Sequence, residues 1–246
     1  LELTGFSAGW DLNGDQTMGN FVCFLDNLKL QWANQSELNL ANLSISARIT
    51  DLPDIPLVNG EIQLEKLKLV RRGKPAVEFQ NIQYRGETDL SLGLFSSTAE
   101  LDFAQLLLAE ETLHDGRLKL TLSGIDAELF RSIQQITGQL QQQALDQQSA
   151  PLELQLQLLG LYTELLNSGV TLTLEELSLN TDKGEVNGKG TLALPSGSTA
   201  EISLFSPENI TVNFQLEIDL GAFVTGYRLL NNLQSTGDQS VSYTHL

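Results

Sequence analysis

The residues of this sequence that could carry out chemistry are few, and the acidic ones come first. One segment places Asp11, Asn13 and Asp15 at every second position (DLNGDQTMGN), which is the spacing of a calcium-binding loop. Such a loop needs glycine at its sixth position and glutamate at its twelfth, where Gln16 and Val22 stand instead. An Asn-Gly hairpin turn explains the segment better. We therefore predict no metal ligands here.

The sequence also has too few histidines for histidine-based catalysis. The two histidines are His114, which precedes Asp115 in a predicted turn, and His245, in the last six residues. A Ser-His-Asp triad or a histidine-based zinc site cannot be assembled convincingly from them. The 31 acidic residues offer pairs for glycoside-type chemistry, but nothing singles out one pair. We predict no catalytic, cofactor-binding or metal-binding residue.

Three further residue types have structural explanations. The glycine-rich segment 184–190 (GEVNGKG) lies between two predicted strands, so it lacks the helix N-terminus that holds a phosphate. The single cysteine, Cys23, cannot form an internal disulfide, and its spacing predicts a buried strand position. Trp10 and Trp32 are predicted to be core or sheet-edge aromatics rather than a sugar-binding platform.

The composition limits the class of protein. The chain has 246 residues, of which 41% are hydrophobic, so it can bury a core. Its net charge of −17 disfavours binding to nucleic acid and docking on anionic lipid head groups through a basic face. No segment approaches the ~18 uninterrupted apolar residues of a membrane-spanning helix.

Alternation with a period of two dominates the first half of the chain. The segment NLSISARIT puts four apolar residues on one face, namely Leu43, Ile45, Ala47 and Ile49. In GEIQLEKLKLV, a bulge or register change is predicted between Leu64 and Leu67. Such alternation is typical of antiparallel strands with one dry and one wet face. The predicted turns between them are DLNGDQT, DLPDIPLVNG, RRGKP, RGET and HDGR, whereas TDLSLGLFSS is predicted as one strand.

Helical spacing begins after Ile125. A helical segment is predicted over 127–167, with Asp126 as its N-cap and with Phe130, Ile133, Ile136 and Leu140 packed against the sheet. Pro151 divides the segment, and Gly169 ends its second helix. A short helix near 219–232 is predicted to be capped by Asp219 and to bury four residues, Leu220, Phe223, Tyr227 and Leu230.

A glycine-bearing hairpin is predicted between the two helical parts. In VTLTLEELSLNTDKGEVNGKGTLALP, Glu175 and Glu176 interrupt the alternation as a bulge would, and Gly184 supplies a positive φ at the turn. Gly188 and Gly190 share a face with Leu192, which favours bending or close approach of a neighbouring element. These features predict a scaffold rather than an active site.

The predicted fold is mainly β (α+β). We expect a curved antiparallel sheet built from hairpins, in a single β-rich domain over 1–240 that is truncated at both ends. The last six residues, 241–246 (VSYTHL), correspond to the translation of a transposon-end adaptor used in sequencing libraries. They are therefore predicted to be a non-native tail.

Several segments resemble the YdgA-like family of Gram-negative bacterial proteins of unknown function. They are LLNSGVTLTLEELSLNTDKGEVNGKGTLALP, GKPAVEFQNIQYRGET and GIDAELFRSIQQITGQLQ, and the likeness covers most of residues 1–235. The succession of alternating strands is also similar to that of AsmA-like envelope proteins. The resemblance implies a periplasmic body tethered to the inner membrane through an N-terminal anchor missing from this chain. It implies no catalytic residues.

Three functions follow as hypotheses. The first is a non-enzymatic envelope protein that shelters hydrophobic ligands or assembles partners, with lipids or envelope proteins as the partners and no nucleic acid. It rests on the alternating apolar strands, because a large uncovered apolar face rarely lacks a purpose. The alternatives are an acid-dependent hydrolase and a structural or adhesive β-protein.

Overall fold

The computed structural model describes residues 1–13, 18–32, 35–52, 55–71, 73–108, 111–145, 152–194 and 210–237. These residues form one open antiparallel sheet of eleven strands, together with three helices. The strands are β1 Glu2–Thr4, β2 Ser7–Leu12, β3 Gly19–Trp32, β4 Ser36–Leu52, β5 Ile55–Arg71, β6 Lys74–Ser91, β7 Leu94–Leu108, β8 Glu111–Asp126, β9 Thr171–Thr181, β10 Gly184–Ala193 and β11 Thr211–Ile218. The helices are α1 Ala127–Leu145, α2 Leu152–Asn167 and α3 Leu220–Gly237.

The sheet is a meander in which nearly every strand pairs with its neighbour in the chain. The order is β1-β3-β4-β5-β6-β7-β8-β9-β10-β11, and β2 also pairs with β3. Helices α1 and α2 join β8 to β9, which are adjacent in the sheet. The mainly β class with its antiparallel sheet is therefore confirmed, as are both helical regions. The curvature, the single-domain boundary and the foreign tail stay predictions, and residues 238–246 lie outside the described residues.

The start of α1 follows from local sequence. One Asp126 carboxylate oxygen accepts hydrogen bonds from the backbone N–H groups of Glu128 and Leu129, at 2.9 and 3.0 Å, which confirms the predicted N-cap. Four residues later, the Phe130 ring stacks on Phe95 of β7 with centroids 4.2 Å apart. Phe95 and Ile125 are buried in the core that forms where α1 meets the sheet.

Helix α3 forms where it is predicted, but the expectation about its packing is wrong. Leu220, Phe223, Tyr227 and Leu230 are exposed, and Ala222, Thr225 and Leu229 are buried instead. The small side chains of Ala222 and Thr225 allow closer approach to the sheet than an aromatic face would. The carboxylate of Asp219 accepts a hydrogen bond from the Glu185 N–H at 3.0 Å, so it ties the helix start to β10.

Two of the predicted turns are wrong. The RGET segment, residues 85–88, lies inside β6, and HDGR, residues 114–117, forms a bulge inside β8 where the register with β9 shifts. Conversely, the chain reverses at Leu92 and Gly93, within the segment predicted as one strand. Their φ angles of 53° and 78° are those of a two-residue hairpin turn, without the usual Asn-Gly signal.

The glycine-bearing hairpin agrees with its prediction at the bulge and at the turn. Leu177 of β9 pairs with Gly188 of β10, and Leu174 pairs with Gly190. Two residues of β9, Glu175 and Glu176, therefore lie opposite the single residue Lys189 of β10, which is a bulge. Gly184 has a φ of 150° at the turn.

Candidate functional site

One face of the sheet is apolar almost from edge to edge. Because directly paired residues of neighbouring strands point to the same face, the register traces a row of side chains across the sheet. One such row, here called the central row, crosses nine strands from β3 to β11 without a charged residue. Its members are Cys23, Ile45, Ile62, Tyr84, Leu101, Leu118, Leu177, Gly188 and Leu216.

A second uncharged row lies closer to one end of the strands. It crosses β3 to β8, and its members are Leu28, Leu40, Leu67, Phe79, Leu106 and Leu113. Strict alternation would place Leu64 and Leu67 on opposite faces, because their spacing is odd. A local change of backbone is therefore needed to keep both rows on one face.

A line of irregular residues supplies that change. Asn42 in β4, Asn81 in β6 and Asp115 in β8 have φ angles of 53°, 52° and 49°. Asparagine and aspartate tolerate this left-handed conformation better than most residues. The ladder between β4 and β5 skips Asn42 and Glu65, at the place where the sequence predicts an irregularity.

An aromatic contact shows that the apolar face continues across this line. Phe79 belongs to the second row, and Phe103 lies two residues beyond Leu101 of the central row. Their ring centroids are 5.7 Å apart in an edge-to-face arrangement. Rings on opposite faces of a sheet could not approach so closely, so both rows share one face.

The helices cover only part of this face. Helix α1 packs against β7 and β8, and α3 packs against β9 and β10. Leu25 and Leu64, on strands remote from these contacts, are only 7% and 8% exposed, so neighbouring side chains of the sheet bury them. Several large apolar side chains of the face remain exposed, namely Ile62, Tyr84, Leu172, Leu192, Val212, Phe214 and Leu216.

The opposite face carries ion pairs between neighbouring strands. Lys66 and Lys68 of β5 hold one carboxylate, that of Glu78 in β6, at 2.7 and 3.3 Å. Arg117 of β8 reaches Asp102 at 2.8 Å and Glu176 at 3.4 Å. Polar and charged side chains are thereby segregated from the apolar rows, so the sheet is strongly two-sided.

Hydrogen bonds and ion pairs lower the pKa values of several carboxyl groups on this face. A hydrogen bond from Lys66 is the largest cause that lowers the pKa of Glu78. Hydrogen bonds from Gln63 and Gln83 lower the pKa of Glu61. The pKa of Glu175 falls chiefly through its hydrogen bond with Lys119, and Thr121 adds a second. Carboxylates of this kind stabilise a surface, whereas a general acid needs a raised pKa.

The residues whose types could carry out chemistry do not lie together in one site. His114 lies within strand β8, where its Nε2 is 3.2 Å from Asp182 Oδ1 at the exposed surface. Asn13 closes the β2–β3 hairpin through its N–H to the Met18 carbonyl at 2.9 Å, whereas Asp15 lies outside the described residues. In the described part of the chain, no three His, Cys, Asp or Glu side chains are grouped as metal ligands.

The remaining candidates belong to the apolar face or its edge. Cys23 is half-buried in the central row rather than fully buried. Trp10 stands exposed on the edge strand β2, where it contacts Phe21 at 4.4 Å between centroids, in agreement with the sheet-edge prediction. Trp32 ends β3 and is also exposed.

Comparison with protein families gives one result. Residues 3–242 match the model of a family described as "Bacterial protein of unknown function (DUF945)". The chain belongs to this family. No curated protein and no solved structure matches the chain. Within the described residues of this DUF945 protein, no helix is both long and apolar enough to span a bilayer.

The main feature of this DUF945 chain is a surface, which single-residue motifs could not reveal. The alternating segments predict that each strand has one apolar face. Only the register shows that these faces join into rows across nine strands. One sequence signal indicates that the apolar face continues past the irregular residues Asn42, Asn81 and Asp115. This signal is the odd spacing of apolar pairs such as Leu64 and Leu67.

Proposed function

We propose that this DUF945 chain is a non-enzymatic envelope protein whose apolar sheet face shelters the acyl chains of lipids. The observation that carries the proposal is the central row, which is uncharged across nine strands and only partly covered by helices. Contiguous exposed apolar surface on this scale marks a binding surface in soluble domains.

The dimensions of the face suit an acyl chain. Neighbouring strands lie ~4.8 Å apart, so a row across nine strands measures roughly 40 Å. One leaflet of a bilayer is about half of the ~30 Å hydrocarbon core, so an extended acyl chain reaches about 15 Å. The central row therefore exceeds the length of one chain, and the two chains of a phospholipid fit side by side or in sequence.

The charge distribution supports the same ligand class. The central and second rows contain no charged side chain, whereas the ion pairs of Lys66, Arg85 and Arg117 lie on the opposite face. Removal of apolar area from water contributes a favourable free energy of ~25 cal/mol per Å², so these rows favour a hydrocarbon ligand. A soluble charged substrate would find no partner in these rows.

The hydrolase alternative has less support. The four described carboxyl groups with clearly shifted pKa values, Glu37, Glu61, Glu78 and Glu175, all have lowered ones. Each of them is held by cross-strand hydrogen bonds or ion pairs that explain its position structurally. The resemblance to YdgA-like proteins supports the remaining part of the proposal, a periplasmic body tethered to the inner membrane.

A fluorescent fatty acid tests the ligand class. We expect cis-parinaric acid to bind the purified chain, and Ile62→Asp to weaken its binding at least tenfold, because a carboxylate in the central row must be desolvated. Asn59→Asp adds the same charge to the opposite face of β5 and serves as the control. No binding by the parent, or equal binding by both variants, contradicts the proposal.

Two measurements on the native protein complete the test. Mass spectrometry of gently purified protein should detect bound lipids, and their loss from the Ile62→Asp protein should parallel the loss of the fatty acid. Protease treatment of spheroplasts should degrade the native protein if its body lies in the periplasm. Full protection with intact controls would place it elsewhere.

A further inference from the structure

Among the residues that the structure describes, strand β11 forms an open edge of the sheet. Within the described residues it pairs with β10 alone, and all eight of its residues are exposed. Natural edge strands are usually protected by proline, lysine, a bulge or a covering element. The sequence of β11, TVNFQLEI, has neither proline nor lysine, and its register with β10 is unbroken. Its outer backbone groups are therefore suited to pairing with another strand.

Helix α3, which follows β11 directly, adds an exposed apolar stripe. The stripe residues recur every three or four positions, as one face of a helix requires, and are Leu220, Phe223, Val224, Tyr227 and Leu230. The helix is held by its other face, where Ala222 and Thr225 are buried and Arg228 pairs with Glu111 at 3.7 Å. The stripe thus belongs to a docked helix but has no partner of its own within the described residues.

We propose that two copies of this chain associate edge to edge through β11, with the α3 stripes contributing to the same interface. Strand β11 and the α3 stripe are here called the edge surface. This inference does not depend on lipid binding. It identifies the partner as a second copy of the chain because the edge surface is complementary to itself.

The residues of β11 show that complementarity. In an antiparallel pair with a two-fold axis at Phe214, Asn213 lies opposite Gln215 of the second copy, and Thr211 lies opposite Glu217. With the axis at Gln215, Asn213 lies opposite Glu217 of the second copy. In both registers the single carboxylate of the strand faces an uncharged polar side chain, so no like charges meet. Apolar residues face apolar residues in both registers.

The edge surface offers apolar area to a second copy. It presents nine large apolar side chains that are about half exposed on average, from Val212 in β11 to Leu230 in α3. Their exposed apolar area amounts to several hundred Å² per copy, and the second copy covers the part of it that borders β11.

A lipid surface fits the edge surface less well. Interfacial helices carry several lysines or arginines for anionic head groups, whereas α3 has only Arg228, which already pairs with Glu111. Edge pairing would instead join the apolar faces of the two copies, because paired residues share a face.

Sedimentation equilibrium of the whole chain tests the proposal at physiological ionic strength. From micromolar to submillimolar protein, we expect the mass to rise from 27.0 kDa towards twice that value. The double variant Asn213→Glu/Gln215→Glu should weaken the dimer on the order of tenfold or more, because it sets like charges opposite each other in both registers. Phe223→Ser/Tyr227→Ser should also weaken the dimer, through loss of the stripe.

The control is Gln134→Glu/Gln139→Glu, which adds the same two charges at exposed positions of α1 and should leave the dimer unchanged. Circular dichroism verifies that each variant is folded. A monomer at every concentration overturns the proposal, and so does a dimer that both edge-surface variants leave intact. Fatty-acid binding by the Asn213→Glu/Gln215→Glu protein separates this test from that of the proposed function, since its added charges lie on the polar face.

Discussion

Substitution of Gly190 by valine tests the packing of the β10–β11 edge. Gly190 pairs directly with Phe214 across the two strands. A Cβ atom at position 190 would lie 2.5 Å from Phe214 Cδ2 and 2.7 Å from the Asn213 carbonyl oxygen. The exposed Phe214 ring can rotate away, but the carbonyl belongs to the backbone, so β11 itself must move.

The magnitude follows from two opposing effects. Gly190 does not have a positive φ, so valine causes no left-handed backbone strain there and the cost is steric. Overpacking typically costs ~1–3 kcal/mol, whereas the better strand propensity of valine returns up to ~1 kcal/mol. We expect a net loss of about 1–2 kcal/mol in the free energy of unfolding, because the shift of β11 affects a whole strand pairing.

Urea denaturation followed by circular dichroism measures this loss, with a second glycine as control. A Cβ atom added at Gly138 in α1 would have no neighbour within 4 Å, so Gly138→Ala should stabilise the chain by roughly 0.5–1 kcal/mol through helix propensity. If Gly190→Val is as stable as the parent while Gly138→Ala behaves as expected, the close approach of β11 does not constrain position 190.

Three further predictions concern other parts of the fold. Phe130→Ala should cost about 2 kcal/mol in a reversible melt, because its half-buried ring stacks on Phe95; a loss below about 0.5 kcal/mol would mean that this contact is unimportant. Asn81→Val should be less stable than Asn81→Gly by ~1–2 kcal/mol in urea denaturation, since φ is positive there; equal stability would contradict this strain. The lowered pKa of Glu78 contributes stability that is fully present above the ordinary glutamate pKa of 4.5. This stability is lost as the pH falls through the lowered folded-state pKa, so the urea midpoint of unfolding should fall in that acidic range. A midpoint that rises there refutes the assignment.

Features set by neighbours in the chain could be predicted from the sequence. The Asp126 N-cap, the Glu175–Glu176 bulge and the positive φ of Gly184 all agree with the structure. Each depends on a few consecutive residues whose side-chain volume or hydrogen-bonding groups restrict the local backbone. The antiparallel class follows in the same way from period-two alternation.

Features that need a distant partner could not be predicted. The turn at Leu92 and Gly93 lacks a turn signal, and its position depends on how β6 pairs with β7. The HDGR segment has turn residues, but pairing with both neighbouring strands keeps it within β8 as a bulge.

The same division applies to the candidate site. The sequence alone determined that the strands have one apolar face and that α3 has large apolar residues at helical spacing. Tertiary structure decided that the strand faces join into one surface that the helices cover only in part, and that α3 packs through Ala222 and Thr225 while Phe223 and Tyr227 stay exposed. The physical reason is that hydrophobicity drives burial without specifying a partner, whereas strand register and the steric fit of small side chains select which apolar surfaces meet.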